Sequence, residues 1–307
     1  MRALRLIGLA AVLAGAVAAA GGATTHGTNG LIVYAQEVKG HYQLFTIGPD
    51  GSGAKQITHI PRADVLNPDW SPDGTTLVTE LDLAQNAEIG TVSADGTGLR
   101  ILTPSGFQGQ PSFSPDGKWI VYERDIAQGN NGLWLMHPDG TGVHRVTRNP
   151  GQCCDTDPNF SPSGKLITFV RIKQAEKLQA LFAVRPDGTG IRQLTPYTWE
   201  VAIKHDWAPD GKSIVVTTNA DFVRSKQAAN LVTIKPDGSG TKQLTEFPAG
   251  KNAFAGSYSP DGKWIVFRLE QGDSYALAVI GRNGGAVRML TPMSKSKPRF
   301  IDWGTHS

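Results

Sequence analysis

The sequence contains only two cysteines among 307 residues, and they are adjacent, Cys153 and Cys154. This pair offers neither the C-x-x-C spacing of a redox site nor the ligands of a tetrahedral zinc site. Charged residues make up 19% of the chain, below the usual quarter, which argues against a coiled coil or a charged-tail protein. The G-x-S-x-G motif of a nucleophile elbow is also missing, so a serine peptidase would lack its nucleophile.

The apolar run near the N-terminus is too short to span a membrane. It covers residues 6–20, whereas a membrane-spanning helix needs about 20 apolar residues. Arg2 and Arg5 precede it, and Ala18, Ala19 and Ala20 close it, which is the pattern of an export signal with a cleavage site. We therefore expect a signal peptide over residues 1–20 and a short linker over residues 21–29. The mature chain is expected to be secreted or periplasmic, without stable membrane insertion.

The chain has little net charge. The formal value is +3, and it falls to +1 once Arg2 and Arg5 are removed with the signal. A nearly neutral protein has no general electrostatic attraction to nucleic acid or to an anionic membrane. We expect neither as a partner.

Two turn phrases recur along the rest of the chain. An aromatic residue precedes a Ser-Pro-Asp-Gly-type turn five times, beginning at Trp70, Phe113, Phe160, Trp207 and Tyr258. A Pro-Asp-Gly-type turn occurs six times, beginning at Pro49, Ala94, Pro138, Pro186, Pro236 and, in degenerate form, Arg282. The second phrase returns every 44 to 50 residues, which is the length of a four-stranded propeller blade.

Each phrase has the residues of a tight hairpin turn. Proline presets φ at the second turn position, and glycine takes the left-handed conformation that closes the hairpin. Runs of β-branched and aromatic residues lie between the turns, such as residues 119–122 and 264–267. One period therefore supplies four strands, and the aromatic before the turn is expected to pack between neighbouring blades. The sequence predicts an all-β fold: a six-bladed β-propeller of four-stranded antiparallel blades over residues 30–304, with a tail at residues 305–307.

The two ends of the chain predict how the ring closes. Residues 300–304 copy the beginning of a blade and then stop, whereas residues 31–34 begin where such a blade would continue. Three N-terminal strands and one C-terminal strand would complete a shared blade, which leaves no open sheet edge. We expect that deleting about the last ten residues would unfold the whole protein.

These turn phrases resemble the TolB-like, WD-like propeller repeats of exported bacterial proteins, and the resemblance covers residues 30–304. It implies a periplasmic propeller that binds proteins, as in the Tol-Pal envelope system. TolB also has an α/β domain before its propeller, which we expect to be missing here because the signal runs directly into the first strand. Similar repeats occur in prolyl-oligopeptidase-like peptidases and oligogalacturonate lyases, so an enzyme remains an alternative.

The two faces of such a ring are expected to differ. The near-identical turns all fall on one face, here called the turn face. The opposite face, here called the mouth, is built from segments of variable length and chemistry: residues 59–67, 104–110, 148–157, 196–204, 246–255 and 292–297. Binding sites usually lie on variable loops carried by a rigid scaffold. We therefore place the site at the mouth.

The mouth contains two kinds of candidate residue. Aromatic side chains could stack on a peptide or a sugar ring, or simply cover the blade ends: Phe107, Tyr197, Trp199, Phe247 and Phe254. Carboxylates could bind a cation or a basic group, or cap loops: Asp64, Asp155, Asp157 and Asp206. A small basic cluster of Lys295, Lys297 and Arg299 is a third candidate, for an anion.

The adjacent cysteines allow only one kind of intrachain bridge. Neighbouring Cα atoms lie about 3.8 Å apart, below the usual disulfide range. A strained vicinal disulfide between Cys153 and Cys154 is therefore one hypothesis, and free thiols or a bond to another molecule are the alternatives.

Catalysis has weak support in the sequence. The seven histidines are scattered, and only His59 and His205 fall near the proposed mouth. We expect an exported, monomeric, non-catalytic propeller without cofactor or metal, which binds a protein, a peptide or an envelope glycan. The alternative is a metal-dependent polysaccharide lyase or hydrolase that uses channel carboxylates.

Overall fold

The structure is a computed structural model that describes residues 26–83, 85–104, 106–125, 131–148, 153–173, 176, 178–219 and 227–306. These residues form twenty-four β-strands and one short 3-10 helix, Tyr197–Trp199. No helix within these ranges is both long and apolar enough to cross a membrane. The expected signal peptide, residues 1–20, and residues 21–25 of the expected linker lie outside the described residues.

The strands form consecutive groups of four. The first two complete groups are β4 (Asp64–Trp70), β5 (Thr76–Asp82), β6 (Ala87–Ser93) and β7 (Arg100–Ile101), then β8 (Phe107–Phe113), β9 (Ile120–Asp125), β10 (Gly132–Met136) and β11 (His144–Arg145). The third and fourth are β12 (Cys153–Phe160), β13 (Ile167–Lys173), β14 (Leu178–Val184) and β15 (Arg192–Gln193), then β16 (Asp206–Trp207), β17 (Ile214–Thr218), β18 (Asn230–Ile234) and β19 (Lys242–Gln243). The fifth is β20 (Lys251–Tyr258), β21 (Trp264–Gln271), β22 (Ser274–Gly281) and β23 (Arg288–Met289).

The sixth group joins the two ends of the chain. It contains β1 (Asn29–Val38), β2 (His41–Ile47), β3 (Lys55–Gln56) and the last strand, β24 (Arg299–Thr305), in the order β24-β1-β2-β3. Ile32 pairs with Trp303 and Val33 with Asp302. The head-to-tail pairing expected from the sequence is therefore present, and its strands extend one residue beyond the expected limits at each end.

The first strand of each group faces the middle of the molecule. β4, β8, β12, β16, β20 and β24 contact one another in that order, and β24 returns to β4, so the sheets surround a central channel. The fold is an all-β propeller of four-stranded antiparallel blades. Four sheets are separate, whereas β4–β7 and β8–β11 form one eight-stranded sheet through a single parallel pair, Ala87 with Phe107. The expected count of six separate blades is thus met only in part.

The core lies between neighbouring blades. The aromatic residues before the turns are buried, with Trp207 1% and Tyr258 0% exposed, which confirms their predicted place in the core. At the closure, Ile32 and Trp303 pack against Leu277 of the preceding blade. Such packing removes large apolar surfaces from water and stabilises each blade through its neighbours.

Candidate functional site

A carboxylate or another polar residue precedes the buried aromatic of each innermost strand. These residues are Asp69, Ser112, Asn159, Asp206, Ser257 and Asp302. The three aspartates accept a hydrogen bond from the backbone N–H of the aromatic in the following blade. The bonds join Asp302 Oδ2 to Trp70 N at 3.0 Å, Asp69 Oδ2 to Phe113 N at 2.8 Å, and Asp206 Oδ2 to Tyr258 N at 2.7 Å. The channel wall is therefore held together by charge-assisted bonds between blades.

A bulge interrupts several innermost strands just before these residues. The register shifts between Leu66 and Asp69, and equivalent shifts occur in β8, β12, β20 and the β1–β24 pairing. Four residues at the bulges have positive φ, between 48° and 51°: Asn67, Gln110, Asp157 and Phe300. Pro68, Pro111 and Pro158 follow the first three, and proline is tolerated at a bulge or at a sheet edge because no ladder bond is lost there.

Lys204 supplies a positive charge in this acidic channel. Burial alone would lower the pKa of Lys204, but attraction to the surrounding carboxylates, Asp157 foremost, outweighs burial and raises it. Burial and the neighbouring Asp302 carboxylate together raise the pKa of Asp69 well above its usual range. Lys204 also lines a small cavity with residues of three innermost strands: Asn67, Pro68, Asp69, Gln110, Pro111, Ser112, Asp157, Pro158 and Asn159. The channel thus carries its own cation among its carboxylates.

A buried histidine, His205, lies beside this cavity. His205 Nε2 lies 2.8 Å from Thr168 Oγ1, which also accepts the Trp207 indole N–H at 2.8 Å. Because the Thr168 hydroxyl donates its own hydrogen to the Asn159 carbonyl, Nε2 of His205 must donate to Thr168. The other ring nitrogen, Nδ1, lies 2.9 Å from Asp157 Oδ2. His205 therefore connects the Thr168 hydroxyl to the Asp157 carboxylate.

Two half-buried glutamates at equivalent positions support the bulges of the following blades. Glu80 Oε2 accepts a hydrogen bond from Gln110 N at 3.0 Å and from Asn67 Nδ2 at 2.7 Å. Glu123 Oε2 accepts one from Thr156 Oγ1 at 2.6 Å. Burial raises the pKa of Glu123 to about 7. Protonation of this carboxyl group is therefore linked to the stability of the contact between β9 and β12.

The predicted carboxylates occupy different environments. Asp157 and Asp206 lie in the channel wall. Asp155 is fully buried and forms a bidentate ion pair with Arg171, at 2.6 and 2.8 Å. Asp64 Oδ1 accepts a hydrogen bond from Tyr42 N at 2.8 Å and lies 3.3 Å from His41 Nδ1, so it joins β4 to β2. The structure brings together Asp157 and Asp206 but not all four carboxylates.

The predicted aromatics are distributed around the rim. Phe107 is 57% exposed. Tyr197 packs against a core cluster with Lys173 Nζ 4.5 Å from its ring centre, and Trp199 packs against the next cluster. Phe247 packs against a third cluster, with Lys251 Nζ 4.6 Å from its ring. Phe107 is therefore the predicted aromatic that is open to a ligand without rearrangement of a cation or of the core.

Phe247 also borders a polar pocket near the mouth. Amide side chains dominate the other lining residues, which include Asn219, Gln227, Asn230 and Gln243. Asn230 Oδ1 accepts hydrogen bonds from Phe247 N and Thr245 Oγ1, each at 2.9 Å, so this part of the pocket wall is fixed in place.

The three residues of the predicted basic cluster have different partners. Lys297 pairs with Glu270 at 2.9 Å, and the guanidinium of Arg299 lies 5.0 Å from the centre of the Tyr42 ring. Exposed Lys295 is 4.0 Å from Asp273.

Cys154 is buried, and the side chain of Cys153 lies outside the described residues, so the vicinal disulfide stays a prediction.

Sequence reasoning missed several residues of this region. Asp69 and Asp302 occupy the same repeat position as Asp206, directly before the buried aromatic, so an alignment of the repeats would have found them. Glu80 and Glu123 also share a repeat position, in the second strands of their blades, whereas Lys204 has no comparable signal because its foremost partner, Asp157, belongs to another blade. Within the described ranges, no three His, Cys, Asp or Glu side chains are grouped so as to hold a metal ion.

Comparison with known proteins identifies the fold family. The family model described as the TolB beta propeller domain matches residues 23–152 and 125–306. The chain is similar to a protein TolB homolog of Chlorobium luteolum, at 28% identity over 45% of this chain and 31% of the relative. It is also similar to an uncharacterized peptidase, YuxL, of Bacillus subtilis, at 35% identity over 22% of this chain and 10% of the relative.

A solved structure supports the same fold. TolB from Acinetobacter baumannii superposes with a TM-score of 0.72 at 20% identity, over 90% of this chain and 67% of that one. The matches span about a third or less of the length of the two curated relatives. Because the family model covers nearly all described residues, this chain belongs to the TolB beta propeller domain family.

Proposed function

We propose that this chain is an exported, non-catalytic propeller with six blades that binds a protein or a peptide through its mouth. The blade count is supported by the ring of six innermost strands. The eight-stranded sheet then acts as two blades, because Ala87 with Phe107 is the sole strand pairing between β6 and β8 in the described part of the chain.

The set of aromatic side chains at the mouth, with Phe107 exposed, is the observation that carries the binding proposal. On the turn face, the aspartates bond within their own turns, as in Asp237, which accepts Ser239 N at 2.9 Å and Ser239 Oγ at 2.7 Å. At the mouth, Phe107 is exposed, and arginine and lysine side chains lie over aromatic rings. Exposed aromatic and arginine side chains are the groups that contribute most at protein interfaces.

The non-catalytic part of the proposal rests on how the channel carboxylates are used. Asp206 accepts bonds from Tyr258 N, Ser257 Oγ and Asn159 Nδ2, at 2.7, 2.9 and 3.0 Å. Lys204 supplies positive charge beside them. A metal-dependent lyase or hydrolase would have to withdraw these carboxylates from bonds that join the blades.

Export is supported by the pattern of residues 1–20 and by the TolB-like repeats. A secreted or periplasmic location gives an envelope or secreted protein, a peptide or an envelope glycan as the partner. We take a protein or peptide as the leading partner because the related TolB proteins imply it, and we take the chain to be a monomer.

Site-specific photo-crosslinking tests the proposal. A photo-reactive phenylalanine analogue is placed at Phe107 or at Asp273, a mouth residue whose side chain is 92% exposed. The matched control positions are Leu99 and Asp237, which are exposed beside or on the turn face. The full chain is expressed in its own cells, and cross-linked products are identified by mass spectrometry.

We expect a discrete polypeptide adduct at the mouth positions and none at the controls. An equal adduct yield on both faces would contradict binding at the mouth. A bound divalent metal in the purified protein, together with cleavage of a polysaccharide that is lost in Asp157→Asn, would favour the lyase or hydrolase instead.

A further inference from the structure

Three cations lie together at one edge of the mouth, and two of them, Arg268 and Lys297, share a single carboxylate. Arg268 Nε lies 2.8 Å and Lys297 Nζ 2.9 Å from the same atom, Glu270 Oε1. Arg268 also donates through Nη1 to the Pro298 carbonyl at 3.4 Å, which brings its guanidinium next to Arg299. Among the ion pairs of the described residues, Arg299 has no carboxylate partner.

The carboxylates near this cluster are too few to neutralise its three cations. Glu270 is 5% exposed, so its single negative charge is buried, and it pairs with Arg268 and Lys297. Burial lowers the pKa of Arg268, the Glu270 carboxylate opposes this shift, and the neighbouring guanidinium of Arg299 adds to it. The nearby Asp64 is engaged by Tyr42 N and His41. The cluster therefore holds more positive than negative charge.

Aromatic rings hold the cations in place. The guanidinium of Arg268 lies 4.5 Å from the Phe254 ring centre, Lys297 Nζ lies 4.9 Å from that of Tyr275, and Arg299 lies above Tyr42. A guanidinium that stacks on a ring keeps its edge N–H groups free to bind an oxyanion in its plane. Within the described residues, Arg299 Nε is buried and has no hydrogen-bond partner.

We propose that Arg268, Lys297 and Arg299 form an anion-binding site that takes a carboxylate of an acidic peptide segment. The inference deepens the proposed function, because it rests on peptide binding at the mouth and names the chemistry that is recognised. The planar fork of arginine matches a carboxylate in bidentate geometry. A free phosphate offers similar oxygens, and the experiment below separates it from a peptide.

Direct titration with defined probes tests this site without the natural partner. The probes are blocked hexaglutamate, blocked hexaglutamine and inorganic phosphate, titrated calorimetrically into the full chain at low salt. We expect hexaglutamate alone to bind. Arg299→Gln should weaken that binding about tenfold or more, since a charge-assisted contact is lost.

A matched control separates the site from general charge. Lys295→Gln removes the same charge nearby, but Lys295 is 79% exposed and is not part of the proposed anion-binding site. Hexaglutamate affinity should therefore change less than about twofold. Lys297→Gln, at a residue that is 30% exposed, provides a second test if Arg299→Gln fails to fold. Equal loss in the control, equal binding of hexaglutamine, or binding of phosphate without hexaglutamate would overturn the inference.

This outcome is independent of the crosslinking result. A mouth adduct without hexaglutamate binding would leave the proposed function intact and remove the acidic-peptide specificity. Hexaglutamate binding without a mouth adduct would retain the anion site and contradict the proposed partner.

Discussion

The turn face and the channel wall use the same residue type in opposite ways. On the turn face, Asp139 and Asp237 each bond to a residue two positions later in the same exposed turn. In the channel wall, Asp206 bonds to residues of the blades before and after its own. A carboxylate in a turn shapes one hairpin, whereas the same group beside the channel fixes the relation between blades.

This difference arises from burial. An exposed turn aspartate competes with water for its partners, so its bonds contribute little net stability. A buried aspartate is shielded from water, and removal of its carboxylate leaves a buried backbone donor, such as Tyr258 N, without a partner. Substitution of an aspartate in the repeated turn motifs is therefore expected to lower stability only slightly. Substitution of an aspartate directly before a buried aromatic is expected to lower it much more.

The largest predicted effect is the loss of the Asp206 carboxylate. Asp206→Ala leaves the buried Tyr258 N without its acceptor, and it leaves Ser257 Oγ and Asn159 Nδ2 with only the carbonyls of Tyr258 and His205, at 3.1 and 3.4 Å. It should lower the free energy of unfolding by about 4 kcal/mol. Asp237→Ala, the matched change in an exposed turn, should have a much smaller effect. Urea unfolding followed by circular dichroism measures both, and similar losses would refute the contrast.

A smaller predicted effect is the pH dependence that Glu123 gives to the free energy of unfolding. Its folded pKa is about 7 against an ordinary 4.5, so between these values the folded protein holds a proton that the unfolded chain has released. This group's contribution to stability is full below pH 4.5 and is lost as pH rises to about 7, a change of about 3 kcal/mol. Glu123→Gln should remove this dependence.

Unfolding free energies at pH 4.5 and pH 8 measure the Glu123 effect. The wild type should lose about 3 kcal/mol more than Glu123→Gln over this interval. Glu37→Gln, which changes an exposed strand residue, is the control and should follow the wild type. Parallel pH profiles for wild type and Glu123→Gln would show that burial of this carboxyl group does not govern the contact with β12.

The smallest predicted effect compares two glycines with nearly equal φ. Gly96, in a turn at φ 85°, faces the Ile57 carbonyl oxygen, which would lie 1.8 Å from an added Cβ. Gly40, in the β1–β2 hairpin at φ 88°, has no atom within 4 Å of that position. Both alanine variants carry the same backbone strain, so Gly96→Ala should be less stable by about a further 1 to 2 kcal/mol.

Thermal unfolding of the two alanine variants provides the measurement. Equal destabilisation would mean that the turn face does not press against the neighbouring blade at Gly96. A larger loss at Gly96 would show that the repeated turns shape contacts between blades as well as hairpins.

Much of the fold was predictable because its signals are local. The turn phrases specify the hairpins, and the repeat period predicts four strands in each blade. Residues 31–34 and 300–304 resemble parts of one blade, and the pairing of Ile32 with Trp303 joins them. The sharing of one sheet by β4–β7 and β8–β11 was not predicted, because it depends on one backbone pair at Phe107.

The candidate site was less predictable. Asp157 and Asp206 lie beside the channel, where a binding role stays a prediction, whereas Asp155 pairs with Arg171 and Asp64 with residues of another blade. The predicted basic cluster contained Lys297 and Arg299, whereas Arg268 and Glu270 come from a strand distant in sequence. No spacing along the chain indicates which cation shares a carboxylate with which.

The sequence alone determined the repeat, its turns and the pairing of its ends, because proline, glycine and alternating apolar residues act over a few neighbouring positions. The tertiary structure decided which charges meet in the channel and at the mouth. The contacts between blades at the channel join residues 30 to more than 200 positions apart, such as Glu80 with Gln110 and Asp302 with Trp70. Their energies depend on burial and on distance in space, which exist only after the blades have closed into a ring.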